Sequence, residues 1–344
     1  MVTDRHRVSA ALFSFLVITG CMLPPYDEDL LLTLFVLDGR LEKVGETGVV
    51  GVLWDSSYED LAYFPERDAI ERGVVLMRGR DHAQVRWISG KKNLMDQGVP
   101  PGVARVVMGS SNEEQAQAFL LYYDGGGWWI MPGERNGEGV SWGNPESLSS
   151  LFPSAGVVVY GAFASFQGSP SEPLYVALLS GDGAGTYYEH VATGSVWGLS
   201  PYDVNLDLRE LGSSGISLSR VSGPGVYLFD VFRYESFFLG PGASSLHVWY
   251  EEEGALRERD VPVEGVPLEV TPSGYLLTYE ESTGEFLVYD SAFSLKDRFS
   301  AGRLSPAGWY EWEGKEVFFF SLPHILQTKE GAAAFFEVYA YPLE

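Results

Sequence analysis

Thr271-Pro272-Ser273-Gly274-Tyr275-Leu276-Leu277-Thr278-Tyr279, with Gly284 and then Phe286-Leu287-Val288-Tyr289-Asp290 behind it, reads as a turn, a strand, a bend and a second strand. Proline presets φ at the start of the turn, and glycine takes positive φ at no steric cost. The apolar runs are four to eight residues long, aromatic and β-branched, and bounded by Gly, Pro, Asp and Ser, which is the pattern of strands rather than helices. The turn recurs as Ser305-Pro306-Ala307-Gly308 before Trp309, with looser relatives at Pro101-Gly102, Ala155-Gly156 and Pro224-Gly225. Between paired runs stand acid–glycine dipeptides: Asp38-Gly39, Asp124-Gly125, Glu253-Gly254 and Glu313-Gly314. Such pairs favour tight hairpins. Residues 145–152 and 202–211 are the only places where the pattern admits a short helix.

Together these pieces resemble the blades of β-propellers, many of which carry a Ser-Pro-Asp-Gly turn, an apolar strand, a glycine hairpin and a strand ending in Tyr-Asp or Trp-Asp. Residues 266–344 match best and residues 30–265 more loosely. The resemblance implies an all-β ring, and at ~40–50 residues per four-stranded blade it implies about seven blades. Rings of this kind close by pairing the two ends of the chain, and residues 335–341 are expected to pair with 30–36. Two β-sandwich domains share the same strand and turn signals and stand as the alternative fold.

The amino terminus carries a different signal. Arg5 and Arg7 precede an apolar run that ends Ile18-Thr19-Gly20-Cys21, and Cys21 is the only cysteine. Charged start, short apolar stretch and small residues form the three regions of an export signal. The apolar stretch from Val8 to Thr19 is 12 residues, short of the ~20 that a spanning helix needs. The last four residues resemble the lipobox of bacterial lipoproteins. That resemblance implies cleavage before Cys21 and acylation of its thiol. The expected organisation is a signal peptide over 1–20, a lipidated tether over 21–29 and a propeller-like domain over 30–344. Met22, rather than Asp, follows the cysteine, which in Gram-negative lipoproteins favours the outer membrane. The resemblance thus implies lipid as the membrane partner, through Cys21, and the cell envelope as the location. Firm attachment needs two or more acyl chains at ~0.8 kcal/mol per buried CH₂.

Composition narrows the function classes. The 344 residues hold 47 acids against 23 Lys and Arg, a formal net charge of -24. Phosphate backbones would be repelled, so nucleic acid is excluded as a partner, and lying flat on anionic lipid is disfavoured. A lone cysteine allows neither an intrachain disulfide nor a cysteine metal site. The sequence has 5 Asn, 6 Gln, 17 Arg and 6 Lys; few thermolabile amides are a thermophile trait, although a GC-rich host would also raise arginine.

Chemical motifs are sparse. His-Glu-x-x-His and phosphate loops are absent from the sequence. Gly181-Asp182-Gly183-Ala184-Gly185 leads into Thr186-Tyr187-Tyr188 with no helix behind it, so it reads as a hairpin tip. Asp203-Val204-Asn205-Leu206-Asp207 starts like a calcium loop but has Leu208 and Ser214 where glycine and glutamate belong. Ser89-Gly90-Lys91-Lys92 has an acyl-enzyme spacing but sits in a polar turn. His82, His190, His247 and His324 are far apart in sequence. No metal, cofactor or catalytic residue is nominated. The candidates for ligand contact are aromatic: Trp128 and Trp129 after a triple-glycine turn, and Trp309, Tyr310 and Trp312 after the Pro-x-Gly turn. Indole is a wide platform with one polar handle, suited to sugar or peptide, but large aromatics also fill cores. Two functions follow as expectations. The first is a lipid-anchored, noncatalytic binding or scaffold module for envelope proteins, peptide or polysaccharide. The alternative is a secreted propeller hydrolase, such as a glycosidase, whose two carboxylates the sequence does not single out.

Overall fold

The computed structural model describes residues 39–49, 58–65, 70–79, 83–89, 92–99, 103–109, 117–136, 139–151, 158–166, 174–181, 187–194, 206–210, 224–230, 232–328 and 331–343. The chain divides into the units Met1–Leu37 and Asp38–Glu344. Everything described belongs to the second, so the leader, the tether with Cys21 and residues 30–36 lie outside the described residues.

Strand β1 is Glu42–Glu46. The first sheet holds β2 (Tyr58–Pro65), β3 (Arg72–Gly79), β4 (Ala83–Ser89) and β5 (Lys92–Val99). The second holds β6 (Val103–Gly109), β7 (Gln117–Tyr123), β8 (Trp128–Asn136), β9 (Gly139–Trp142) and β10 (Glu146–Ser147). The third holds β11 (Val158–Phe166), β12 (Leu174–Gly181), β13 (Tyr187–Gly194) and β14 (Leu206–Glu210). The fourth holds β15 (Val226–Asp230), β16 (Glu235–Leu239), β17 (Leu246–Glu252) and β18 (Ala255–Val261). The fifth holds β19 (Val266–Val270), β20 (Leu276–Glu280), β21 (Glu285–Tyr289) and β22 (Leu295–Ser300). In the sixth, β23 (Ser305–Trp312), β24 (Lys315–Thr328) and β25 (Gly331–Pro342) are joined by β1 on the outside.

The first strand of every sheet touches the first strand of the next, and β23 of the sixth touches β2 of the first. The sheets therefore form a closed ring with six inner strands, the β-propeller architecture. Length suggests about seven blades, whereas the described residues form six sheets. The difference lies in the intervals: β11 to β15 takes 68 residues, β19 to β23 only 39. In five sheets the inner strand carries a register shift near its start, as between Tyr58 and Asp60 or Val159 and Gly161. A bulge adds local right-handed twist, which suits a strand curling around a ring axis.

The two ends of the described chain meet in one sheet. β25 lies between β24 and β1, its outer register matching Glu42 to Ala340 and Glu46 to Glu337, so β1 holds the place expected of 30–36. The outermost strand of a blade faces water, so it needs polar residues that blunt its free edge. Glu42-Lys43-Val44-Gly45-Glu46 supplies them, and an unbroken apolar run does not. Thr47 extends the seam, its backbone N–H donating to Phe336 O at 2.9 Å while its Oγ1 accepts from Phe336 N at 2.9 Å. Arg40 Nη1 lies 2.7 Å from Asp297 Oδ2 of the fifth sheet, and Tyr341 Oη donates to the same oxygen at 2.8 Å. Burial and that carboxylate push the Tyr341 hydroxyl up to about 12.

The core lies between sheets. One cluster joins the third, fourth and fifth sheets through Phe163, Tyr227, Phe237, Trp249 and Leu287. Another joins the sixth to the first through Tyr63, Val75, Phe319 and Phe336. Asp124-Gly125, Glu253-Gly254 and Glu313-Gly314 sit in hairpins, as the sequence places them, whereas Asp38 lies outside the described residues. Glu253-Gly254 and Glu313-Gly314 have φ of 55°, 73°, 52° and 75°, the double positive φ of a type I′ turn. Gly314→Ala is expected to cost about 1 kcal/mol, because alanine resists positive φ; a thermal melt measures it, and an unchanged midpoint would refute the turn assignment.

Of the two segments that admit a helix, residues 145–152 contain β10 followed by a 3-10 turn, Leu148–Leu151. Residues 202–211 contain strand β14 instead, paired from Leu206 to Glu210 with β13; Leu-Asp-Leu alternates with period two, and sheet pairing overrides a weak helical reading. Gly181 and Tyr187 face each other across the β12–β13 hairpin, and Ser89 faces Lys92 across the β4–β5 hairpin. The residues between those pairs lie outside the described residues.

Candidate functional site

Antiparallel order places the turn between a sheet's first and second strands, and the turn between its third and fourth, at the same end of that sheet. In the fourth sheet these are the β15–β16 tip, Phe232-Arg233-Tyr234, and the β17–β18 tip at Glu253-Gly254. The first tip is unusual. Phe232 is 53% and Tyr234 49% exposed, and Tyr234 holds φ of 55°, a strained conformation for an aromatic residue that calls for an explanation.

Asp230 builds the tip from below. Its side chain is buried, and its Oδ1 accepts from Phe232 N at 2.9 Å and Arg233 N at 3.2 Å. Its Oδ2 accepts from Arg233 Nε at 2.6 Å, and Arg233 Nη2 lies 2.9 Å from Glu235 Oε2. Burial pushes the Glu235 carboxyl up, with Arg233 pulling it down and Asp230 adding to the rise. Both carboxylates are thus engaged in orienting one guanidinium. Arg233 in turn lies over the β19–β20 turn. A Cβ on Gly274 would come 2.3 Å from Arg233 Nη1, so glycine there is what lets the guanidinium settle.

The tip reaches beyond the fifth sheet. Phe232 meets Trp309 of inner strand β23 edge to face, ring centroids 6.4 Å apart. Ser273 N donates to Glu316 Oε1 at 3.1 Å, tying the fifth-sheet turn to the start of β24. Three consecutive sheets therefore share one surface, built from Phe232, Tyr234 and half-buried Trp309 around a fixed Arg233.

The aromatic residues singled out from sequence do not all gather there. Trp309 does. Tyr310, its neighbour, points the other way: it is buried, stacks on Phe319 at 4.6 Å and donates from Oη to Pro65 O at 2.9 Å. Half-buried Trp312 packs edge-on against Phe319 at 5.6 Å. Trp128 and Trp129 begin β8 in the second sheet; Trp128 is buried, tilted 5.5 Å from Tyr123, and Trp129 is half-buried. The turn before them is pinned by Asp124, whose Oδ1 accepts from Gly126 N at 2.8 Å and Gly127 N at 2.9 Å. The Gly126 bond leads in holding that carboxyl below its ordinary value. Asp290 does the same with Ala292 N and Ser294 N, so the aspartate that ends a strand is a turn-former.

Sequence reading missed Phe232 and Tyr234. The available signal was a tip with no Gly, Asn or Asp, carrying two aromatics and an arginine between acid-ended strands. Among the described residues no three His, Cys, Asp or Glu side chains converge as a metal site.

No protein-family model matches the chain, and no curated protein matches it. Solved structures that are similar include BBS1N in complex with ARL6DN, at 9% identity and TM-score 0.46, covering 89% of this chain and 98% of that one. A luciferin-regenerating enzyme is similar at 9% identity and TM-score 0.43, covering 87% and 94%. A protein from Lactobacillus plantarum is similar at 13% identity and TM-score 0.43, covering 83% and 85%.

Proposed function

We propose that the chain is a lipid-anchored cell-envelope protein, acylated on Cys21, whose propeller is a noncatalytic binding module. The observation that carries the binding half is the Phe232-Arg233-Tyr234 tip: two aromatics held out to solvent on a turn fixed by a buried aspartate. Rigid exposed aromatics give much contact area at little entropic cost on binding. The carboxylates nearest the tip, Asp230 and Glu235, hold Arg233 rather than stand apart for acid–base work. The anchoring half rests on the Ile18-Thr19-Gly20-Cys21 resemblance and the charged, short apolar leader before it. No helix among the described residues is long and apolar enough to cross a membrane.

Intact mass and membrane fractionation of the native protein beside Cys21→Ala test the anchor. The expected result is a chain beginning at Cys21 with a lipid-sized mass gain and membrane association, both lost in the mutant. An unmodified wild-type chain in the soluble fraction would refute anchoring and leave the binding surface to be judged separately.

A further inference from the structure

The aromatic tip is ringed by acids at its own end of the ring. Glu251, Glu252 and Glu253 are exposed at the β17–β18 tip of the same sheet, and Glu311 and Glu313 are exposed at the β23–β24 tip, where Trp309 and Glu316 also sit. The nearby cations are fewer. Arg257 lies 3.7 Å from Glu252, and Lys315 is exposed. Arg233 is offset by the two carboxylates it bridges, so that triad carries net negative charge.

Aromatic faces are the negative pole of the ring quadrupole and attract cations within about 6 Å. The protein already uses this attraction: the Arg259 guanidinium carbon lies 5.0 Å from the Tyr250 ring and 4.9 Å from the Phe293 ring. At the tip Phe232 and Tyr234 are about half exposed and Trp309 is half-buried, and exposed acids outnumber the cations on a chain of net charge -24. An anionic polymer is repelled there, whereas a cationic chain is drawn in by both fields.

We propose that this end of the ring docks a cationic polypeptide segment. Its arginine or lysine side chains lie on Phe232, Tyr234 and Trp309, and its remaining charges face Glu251, Glu252, Glu253, Glu311 and Glu313. This assignment rests on the binding-module reading and names the partner's chemistry.

The test uses the full chain and a fluorescent octa-arginine peptide, read by anisotropy, with octa-glutamate and dextran as comparison probes. Octa-arginine is expected to bind with an affinity that falls as salt rises. Phe232→Ala with Tyr234→Ala should weaken it about tenfold, the loss of two cation–π contacts. Phe232→Leu with Tyr234→Leu keeps apolar bulk, guards against misfolding and should weaken it comparably. Glu251→Gln with Glu252→Gln and Glu253→Gln should also weaken it, whereas Glu281→Gln, at the opposite end of the fifth sheet, should not. Equal affinity of the leucine variant and wild type would reduce the effect to general attraction and overturn the proposal. Failure to bind octa-arginine also overturns it. In that case Phe232-dependent binding of dextran or octa-glutamate would leave the module reading intact, and no binding of either would count against both.

Discussion

Phe336→Ala should be among the most destabilising single changes in the chain, costing about 3–5 kcal/mol, the usual range for removing a fully buried phenylalanine. Phe336 has 0% exposure and stacks on Tyr63 of the first sheet, ring centroids 5.2 Å apart. That contact lies on the seam where the last sheet meets the first. Around the stack the seam holds the rest of that apolar cluster, Val75 and Phe319 included, and three hydrogen bonds: Tyr63 N to Ser321 Oγ at 3.1 Å, Ser305 Oγ to Leu61 O at 3.2 Å and Tyr310 Oη to Pro65 O at 2.9 Å. The Phe336 backbone also bonds to Thr47 just past β1, its N–H donating to Oγ1 and its carbonyl accepting from Thr47 N, so this one residue stands on both ways in which the ring closes. A cavity there loosens the Tyr63 ring, whose hydroxyl is fixed to Ile70 O at 2.8 Å. Urea unfolding followed by circular dichroism reads the cost. A loss below about 1 kcal/mol would mean that the seam collapses onto the gap without penalty, and that closure rests on the inner-strand contacts alone.

The ring was legible where the turns were strict. Thr271-Pro272-Ser273-Gly274 and the acid–glycine pairs stand where sterics allow few alternatives, and β19–β21 and β23–β24 follow them closely. Closure was legible in kind but not in partner. A search for an apolar strand to match residues 335–341 points to 30–36, yet the position to be filled is an outer edge, and edges take charge. Six sheets are described where length suggests about seven blades, because the intervals between inner strands are uneven, 68 residues from β11 to β15 against 39 from β19 to β23, and nothing local in sequence sets that interval. The Phe232 tip was invisible for the opposite reason. Its turn is built not from glycine but from Asp230 and a strained Tyr234, chemistry that appears only once Asp230 is seen beneath the tip. Of the aromatics singled out from sequence, Trp309 lies beside the tip and Tyr310 next to it is turned into the core, as strand alternation requires of neighbours.

Glu337→Gln should produce the largest pH-dependent change, about 2–3 kcal/mol at neutral pH, the cost of stripping a partly buried hub of its charge. One carboxylate serves three strands. Its Oε2 accepts from Tyr339 Oη at 2.6 Å and lies 3.1 Å from His324 Nε2 on β24. Its Oε1 holds Lys43 of β1, which also reaches Glu46 Oε2 at 2.8 Å. Burial pushes the Glu337 carboxyl up, but the bonds from Lys43, Tyr339 and His324 outweigh it and hold it below the ordinary value of 4.5. Burial and the same carboxylate raise the Tyr339 hydroxyl. The sign follows. A carboxyl depressed by folding contributes its full stability above the unfolded value, and loses it as pH falls through the folded one. The gap between wild type and Glu337→Gln should therefore be constant from neutral pH down to about 5, then narrow on further acidification. Other carboxylates titrate in both proteins and cancel in that difference. Urea midpoints of the pair across pH 3–7 supply the measurement, and a gap that does not narrow would show that shape rather than charge sets the cost. The position of the hub gives the result a wider meaning. Lys43 lies on the strand that leads back toward Cys21, so an anchored protein would carry the load of its tether into the ring through this clasp. Acid would then weaken the attachment of β1 before the aromatic seam beneath it, because the clasp depends on a titrating charge and the Phe336–Tyr63 stack does not.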